Sequence, residues 1–265
     1  MTMSLQGTDA PPSLCVEGAV ATVTLRRPEH RNRLHAEDLA VLLAHFRAIN
    51  ENEGIRVVVL TAAVPLPAQI RPPVFCAGYH MQEHGHESQG AGFEQVAQML
   101  ESLRPVTVCA LNGSVYGGAV DLVLACDFAI GVWGIEMRMP AAAIGLHFYP
   151  GGLSRFVSRL GVGSAKRAFL AAETFDASTL LSMGFVQRLV PSPDLEDAVQ
   201  ERINHVLALA PMAVDMLKRS LNEIARGEFD VERLHERHER SRASEDFFEG
   251  CLAFSQRRAP VFQGR

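Results

Sequence analysis

The chain has 265 residues, of which 48% are hydrophobic, which is enough for one large domain with a substantial core. Its 25 basic and 30 acidic side chains give a net charge of −5, which argues against a surface built to bind nucleic acid. Five cysteines without CxxC spacing, no signal peptide and no apolar run of membrane-spanning length predict a cytoplasmic protein with reduced thiols and no membrane contact.

The first part of the chain alternates predicted strands with a long helix. We expect residues 1–12 to form a disordered tail and residues 14–25 to form two short strands that turn at residues 17–18. Apolar side chains at helical spacing predict a helix over residues 35–52, and a β-branched run predicts a strand over residues 56–61. Strand, helix and strand in succession indicate a parallel crossover.

A proline-rich stretch separates this unit from the centre of the chain. Residues 62–74 contain four prolines and are predicted to form an exposed loop that leads to Gly78, which small residues surround. The polar stretch that follows carries His80, His84 and His86. Because no cysteine or carboxylate pair completes a ligand pattern, we predict no metal site. A helix over residues 93–103 comes next.

The central stretch, residues 106–130, reads as a buried strand, a glycine-lined turn, a helix and a second strand. Gly117 and Gly118 precede the predicted helix of residues 119–125, and residues 126–130 form the second strand. Free N–H groups and the positive end of a helix dipole would meet at this turn. Asp121 lies one turn into the helix, so a carboxylate is predicted beside a site suited to an anion.

The last part of the chain is mostly helical in pattern. A short strand is predicted at residues 136–139, helices at 153–160, 162–172 and 177–183, with Gly184 after the third, and a strand at 185–190. Ser192 is predicted to cap a further helix through its hydroxyl group. Helices then continue to about residue 256, with breaks near residues 210–211 and Gly227.

Three motifs in order resemble the crotonase superfamily, the enoyl-CoA hydratase/isomerase family. They are LRRPEHRNRL at residues 25–34, FCAGY at residues 75–79 and NGSVYGG at residues 112–118. Further similarities are the CD pair at residues 126–127 and PGG at residues 150–152, so that the resemblance runs from about residue 14 to the C-terminus. Each motif alone has low specificity, whereas the ordered set is specific.

The resemblance implies an α/β fold, a right-handed spiral of ββα units that forms a core over residues 13–200. It also implies a C-terminal helical region, residues 201–265, that packs across subunits in a homotrimer or a dimer of trimers. The implied substrates are acyl-CoA thioesters, with coenzyme A bound as part of the substrate and no other cofactor. The implied CoA-binding residues are Arg31, Arg33, Leu34, Ala77 and Gly78.

The same resemblance implies an oxyanion hole for a thioester enolate, with the backbone N–H groups of Tyr79 and Gly118 as donors. Hydratases of the family use two glutamates. The first falls on Asp121, our candidate acid/base, and the second falls on Ala141, which carries no proton. His80 stands where the family usually has an aspartate.

The missing second carboxylate keeps other reactions open. A double-bond isomerase needs only one proton-carrying group, which Asp121 could provide. His147 and Tyr149 fall where family members that decarboxylate or hydrolyse place catalytic groups, and each is read equally well as a wall of the acyl pocket. A non-catalytic acyl-CoA-binding homologue is the alternative of another class.

Overall fold

The computed structural model describes residues 9–64, 73–79 and 89–265, without the side chains of residues 89–91. Its strands form two sheets, one with six strands in the order β1-β2-β3-β5-β7-β10 and one with four in the order β4-β6-β8-β9. The strands are β1 (Ala10–Glu17), β2 (Val20–Arg26), β3 (Val57–Ala62), β4 (Val74–Cys76), β5 (Val106–Leu111), β6 (Ser114–Tyr116), β7 (Phe128–Val132), β8 (Glu136–Arg138), β9 (Thr174–Asp176) and β10 (Arg188–Val190).

The six-stranded sheet is antiparallel at one edge and otherwise parallel. β1 and β2 form a hairpin, and β2, β3, β5, β7 and β10 then pair in parallel. All six residues of β5 are buried, as a continuous apolar run with both faces covered requires. The parallel pairing of β2 with β3 confirms the predicted crossover.

Successive strands alternate between the two sheets. β3, β5 and β7 lie in the large sheet, and each is followed by a strand of the small one, β4, β6 or β8. The ladder of the small sheet, from β4 through β6 to β8, is parallel. Two strands and a helix therefore repeat along the chain, which is the ββα spiral that the sequence motifs imply.

The helices are α1 (Ala36–Glu51), α2 (Gln89–Glu101), α3 (Ala119–Ala125), α4 (Pro150–Leu170), α5 (Ala177–Ser182), α6 (Leu195–Leu207), α7 (Pro211–Arg226), α8 (Val231–Arg242) and α9 (Glu245–Gln256). α3 is buried along its whole length and packs between α2 and α4. α4 is broken at Gly161, where φ is 77°, at the point where two separate helices are predicted. These three helices surround the central turn.

α7 attaches the C-terminal helices to the core through one polar face. Lys218 binds Asp127 at 2.7 Å and also donates to the carbonyl oxygen of Pro105, while Asn222 donates to the carbonyl oxygen of Glu101 at 3.0 Å. These side chains recur every four residues and so lie on one side of the helix. The apolar side chains of Leu217, Leu221 and Ile224 are exposed.

Several predicted boundaries need correction. β1 begins at Ala10, inside the stretch predicted as a tail, and α2 begins at Gln89 rather than at residue 93. The short strands β4, β6 and β9 were not predicted, because three residues show no clear alternation. Ser192 does not cap a helix with its side chain but begins a 3-10 turn before α6. Most of the proline loop lies outside the described residues.

Candidate active site

The glycine-lined turn between β6 and α3 lies directly against the segment that follows β4. A Cβ atom on Gly78 would stand 2.9 Å from the carbonyl oxygen of Tyr116 and 3.4 Å from the backbone nitrogen of Gly118. Gly78 also has φ of +91°, a conformation that residues with a side chain rarely adopt. Only glycine therefore allows these two segments to approach so closely, and their contact brings the backbone of Tyr79 and Gly118 to one place.

The segment of residues 31–34 is bonded to the same place. The amide of Leu34 donates to the carbonyl oxygen of Gly78 at 2.9 Å, and the amide of Ala77 donates to that of Arg31, also at 2.9 Å. Leu34 and Tyr79 form an isolated parallel bridge. The Nε atom of Arg33 is buried without a hydrogen-bond partner among the described residues. The structure thus brings together the five residues that the sequence predicts to bind CoA.

Asp121 is fully buried in α3 and bound on both carboxylate oxygens. Its Oδ1 accepts from Nε of Arg155 at 2.9 Å, and its Oδ2 accepts from Nη2 of the same guanidinium at 2.7 Å. The hydroxyl group of Tyr149 donates to Oδ2 at 2.7 Å. A carboxylate offers about four lone pairs. Oδ2 accepts two of these three hydrogen bonds and Oδ1 accepts one, so Oδ1 has more remaining capacity to accept a further bond.

Arg155 continues the pairing into the protein. Its Nη1 lies 3.3 Å from Oε2 of Glu101, and that oxygen also lies 3.2 Å from Nη1 of Arg226 on α7. Arg155 and Glu101 are 2% and 6% exposed in their side chains, so the pairs are shielded from water. Sequence reasoning missed Glu101, Arg155 and Arg226. A local signal existed for Glu101 and Arg155, which are charged residues on otherwise apolar helix faces, but it does not identify their partners.

An aromatic wall closes one side of the turn. A Cβ atom on Gly118 would lie 3.0 Å from the ring of Phe93, whose centroid is 6.2 Å from that of Tyr79 and 6.4 Å from that of Tyr149. The ring of Phe148 stacks on Tyr149 with 4.1 Å between centroids. Phe93 is another site residue that the sequence did not indicate. It was predicted only as the first residue of a helix, with no role in the site.

Tyr149 is held as a neutral hydrogen-bond donor. Burial raises the pKa of its phenol, and the neighbouring negative charge of Asp121, which accepts the phenolic hydrogen bond, raises this pKa further. Loss of the phenolic proton would place two negative charges side by side. Tyr149 therefore keeps its proton and orients the Asp121 carboxylate by donating a hydrogen bond to it.

The two remaining predicted positions differ in burial. Ala141 is 3% exposed and directly precedes the 3-10 turn of Ala142–Ile144. His147 is exposed in the stretch between this turn and α4. Of the two alternative catalytic groups, the structure thus joins Tyr149 to Asp121 and leaves His147 at the surface.

The described residues also bear on the predictions about metal binding, membrane spans and cysteines. His80, His84 and His86 lie outside the described residues, and within the described ranges no group of three histidine, cysteine or acidic side chains is arranged to hold a metal ion. None of the helices in the described part is long and apolar enough to cross a bilayer. All five cysteines are free thiols, and Cys76, Cys109 and Cys126 are buried.

Comparison with known proteins places this chain in a family. The sequence model of the family described as Enoyl-CoA hydratase/isomerase matches residues 16–265. Carnitinyl-CoA dehydratase of Proteus mirabilis is 27% identical over 266 residues, which cover 95% of this chain and 98% of the relative. Short-chain-enoyl-CoA hydratase of Clostridium acetobutylicum is 27% identical over 212 residues, or 78% of each protein.

A solved structure shows the same fold. The crystal structure of enoyl-CoA hydratase from Bacillus anthracis superposes with a TM-score of 0.83 and 26% sequence identity, covering 97% of this chain and 100% of the other. The ββα spiral and the ordered motifs are therefore those of the crotonase fold. The chain belongs to the enoyl-CoA hydratase/isomerase family of enzymes.

Proposed function

We propose that the protein processes acyl-CoA thioesters by stabilising an enolate oxyanion on the backbone N–H groups of Tyr79 and Gly118. The contact of Gly78 with the backbone of residues 116–118 is the observation that carries this proposal. Two fixed donors aimed at a thioester oxygen stabilise the charged state more than the ground state, and one such donor contributes about 3 kcal/mol. Since both donors belong to the backbone, they do not depend on side-chain identity.

Asp121 is the proton-carrying group in this proposal. It is the retained carboxylate of the family pattern, it lies one helical turn beyond Gly118, and its Oδ1 accepts one hydrogen bond from the surrounding residues. Tyr149 and Arg155 fix the orientation of the carboxylate, so the proton can be taken from, or returned to, one direction only.

Coenzyme A would lie along the paired segments of residues 31–34 and 77–78. Arg31 and Arg33 supply positive charge for its phosphates. No other cofactor is part of the proposal. The exposed apolar face of α7 supports assembly through residues 201–265 into a homotrimer or a dimer of trimers.

Double-bond isomerisation is the second candidate function, and Ala141 favours it over hydration. Water addition in this family uses two carboxylates, whereas moving one proton between two carbons requires only one. A general acid–base group contributes about 10²–10⁴ in rate, so its absence at Ala141 should make hydration slow. A decarboxylase or hydrolase reaction would instead have to use His147 or Tyr149.

A panel of thioesters tests the proposal. We expect turnover of short 2-enoyl-CoA or 3-enoyl-CoA substrates, and exchange of the Cα hydrogens of butyryl-CoA in D₂O, with faster conversion of the 3-enoyl compounds. Asp121→Asn should abolish exchange while CoA-thioester binding persists. Absence of both binding and exchange across the panel would refute the proposal, and exchange that survives in Asp121→Asn would remove the role of the carboxylate.

The variant Ala141→Glu separates hydration from isomerisation. If the missing carboxylate limits water addition, restoring it should raise the ratio of hydration to isomerisation at least about tenfold. Ala141→Gln is the matched control, since it adds nearly the same volume without a charge. An equal change of the ratio in both variants would show that shape, not proton transfer, decides between the reactions.

A further inference from the structure

Four charged side chains of alternating sign form a chain that runs from the site to α7. Asp121 pairs with Arg155, Arg155 with Glu101, and Glu101 with Arg226, at 2.7, 3.3 and 3.2 Å. The side chains of the inner three are 0%, 2% and 6% exposed, and that of Arg226 is 30% exposed. Burial of this kind makes each charge depend strongly on its partner.

The arrangement matters because Asp121 must change its charge if it carries a proton. A buried arginine that loses its only carboxylate partner is strongly destabilised. Arg155 avoids this situation, because its Nε and Nη2 face Asp121 while its Nη1 faces Glu101. The cation therefore keeps one ionic partner whether Asp121 is charged or neutral.

We propose that Glu101 is a positioning residue for proton transfer, acting on Asp121 through Arg155. Glu101 holds Arg155 in place when Asp121 is neutral. The negative charge of Glu101 also offsets part of the positive charge with which Arg155 stabilises the ionised form of Asp121. Arg226 acts in the opposite direction, because it neutralises Glu101. This inference rests on the proposed role of Asp121 in the preceding section.

Other groups also act on this carboxylate and set the background for the test. Glu94 on α2 accepts from the amide of Gly151 at 3.0 Å, and its charge contributes to the raised pKa of the Tyr149 phenol. Tyr149 before α4 and Arg155 on α4 contact Asp121 directly. Glu101 on α2 acts through Arg155, Glu94 on α2 acts through Tyr149, and Arg226 on α7 acts through Glu101 and then Arg155. Of these, Glu101 and Arg226 lie on the far side of the Arg155 guanidinium from Asp121.

The test compares two variants with opposite expected effects. Glu101→Gln should slow Cα-hydrogen exchange of butyryl-CoA in D₂O roughly three- to tenfold at neutral pH with unchanged KM, because Asp121 becomes a weaker base. The acid limb of the exchange–pH profile should move to lower pH. Arg226→Gln should move the limb to higher pH by a smaller amount, because Arg226 is partly exposed.

A matched control and a second readout complete the experiment. Glu173→Gln removes a carboxylate from the exposed pair with Arg167 on the same helix as Arg155 and should change neither quantity. The second readout is the carboxyl ¹³C signal of Asp121 in aspartate-labelled protein, which is assigned by its loss in Asp121→Asn. Without substrate, the titration midpoint of this signal should move in the same directions in the two variants.

The outcomes separate the inference from the proposed function. Shifts of the Asp121 carboxyl titration in opposite directions in Glu101→Gln and Arg226→Gln support the inference. If the rate of Cα-hydrogen exchange does not change with these shifts, the proposed role of Asp121 is wrong. An unchanged titration in Glu101→Gln overturns the inference. If Glu101→Gln does not fold, an unchanged or downward midpoint in Arg226→Gln overturns it equally.

Discussion

The candidate site has two halves, one formed by backbone groups and the other by buried side chains. The proposed oxyanion hole consists of backbone around Gly78 and Gly118, whereas the proton-carrying half consists of buried side chains around Asp121. The backbone half follows the family motif residue by residue. The side-chain half departs from it at Ala141 and contains the pairs of Arg155 with Asp121 and Glu101. Under the proposed function, the backbone half would polarise the thioester and the side-chain half would decide which reaction follows.

The largest expected effect lies in the side-chain half. Arg155→Met should lower the free energy of unfolding by about 3–5 kcal/mol, because it leaves Asp121 and Glu101 buried without their shared cation. Urea denaturation measures this change. The double variant Asp121→Asn/Arg155→Met should recover part of the loss. No recovery would mean that packing of the Arg155 side chain, rather than charge, accounts for the loss.

The backbone half should respond in turnover more than in stability. Gly78→Ala forces a Cβ atom to within 2.9 Å of a carbonyl oxygen and separates the two donor segments, so we expect kcat to fall about 10²–10³-fold. Gly18→Ala is the control, since Gly18 also has positive φ (+59°) but no atom within 4 Å of the new methyl group. Similar activity losses in both variants would contradict a site-specific role for Gly78.

The smallest expected effect is a change in the pH dependence of the free energy of unfolding, caused by Tyr149. Its raised pKa means that the folded protein keeps the phenolic proton at a pH where the unfolded chain, with an ordinary value near 10, loses it. The stabilisation is therefore complete below about pH 10 and decreases above it, by up to about 1.4 kcal/mol per pH unit. Urea denaturation between about pH 9 and 11 should show a shallower decline for Tyr149→Phe than for the unmodified protein. Equal slopes would contradict this origin.

The sequence predicted the strands and helices around the candidate site better than the side-chain contacts within it. Glycine pairs, β-branched strands and helix-spaced apolar residues are local signals, so β5, α3 and the C-terminal helices were predicted close to their observed positions. The short strand β6 was missed, and β7 begins at Phe128 rather than at residue 126. The partnership of Arg155 with Asp121 and Glu101 joins residues 34 and 54 positions apart, and no local pattern reveals it. The ordered motifs supplied Asp121 and Ala141, but only packing shows that Tyr149 donates to Asp121.

The alternating charges from Asp121 to Arg226 have a consequence for ionic strength. Two negative and two positive groups in a row sum to zero, and at a distance of several ångströms their fields largely cancel. Added salt can screen exposed charges over a Debye length of about 8–10 Å but has little to act on here. We therefore expect kcat to be nearly independent of salt concentration. KM for an acyl-CoA should rise with salt if, as proposed, Arg31 and Arg33 attract its phosphates.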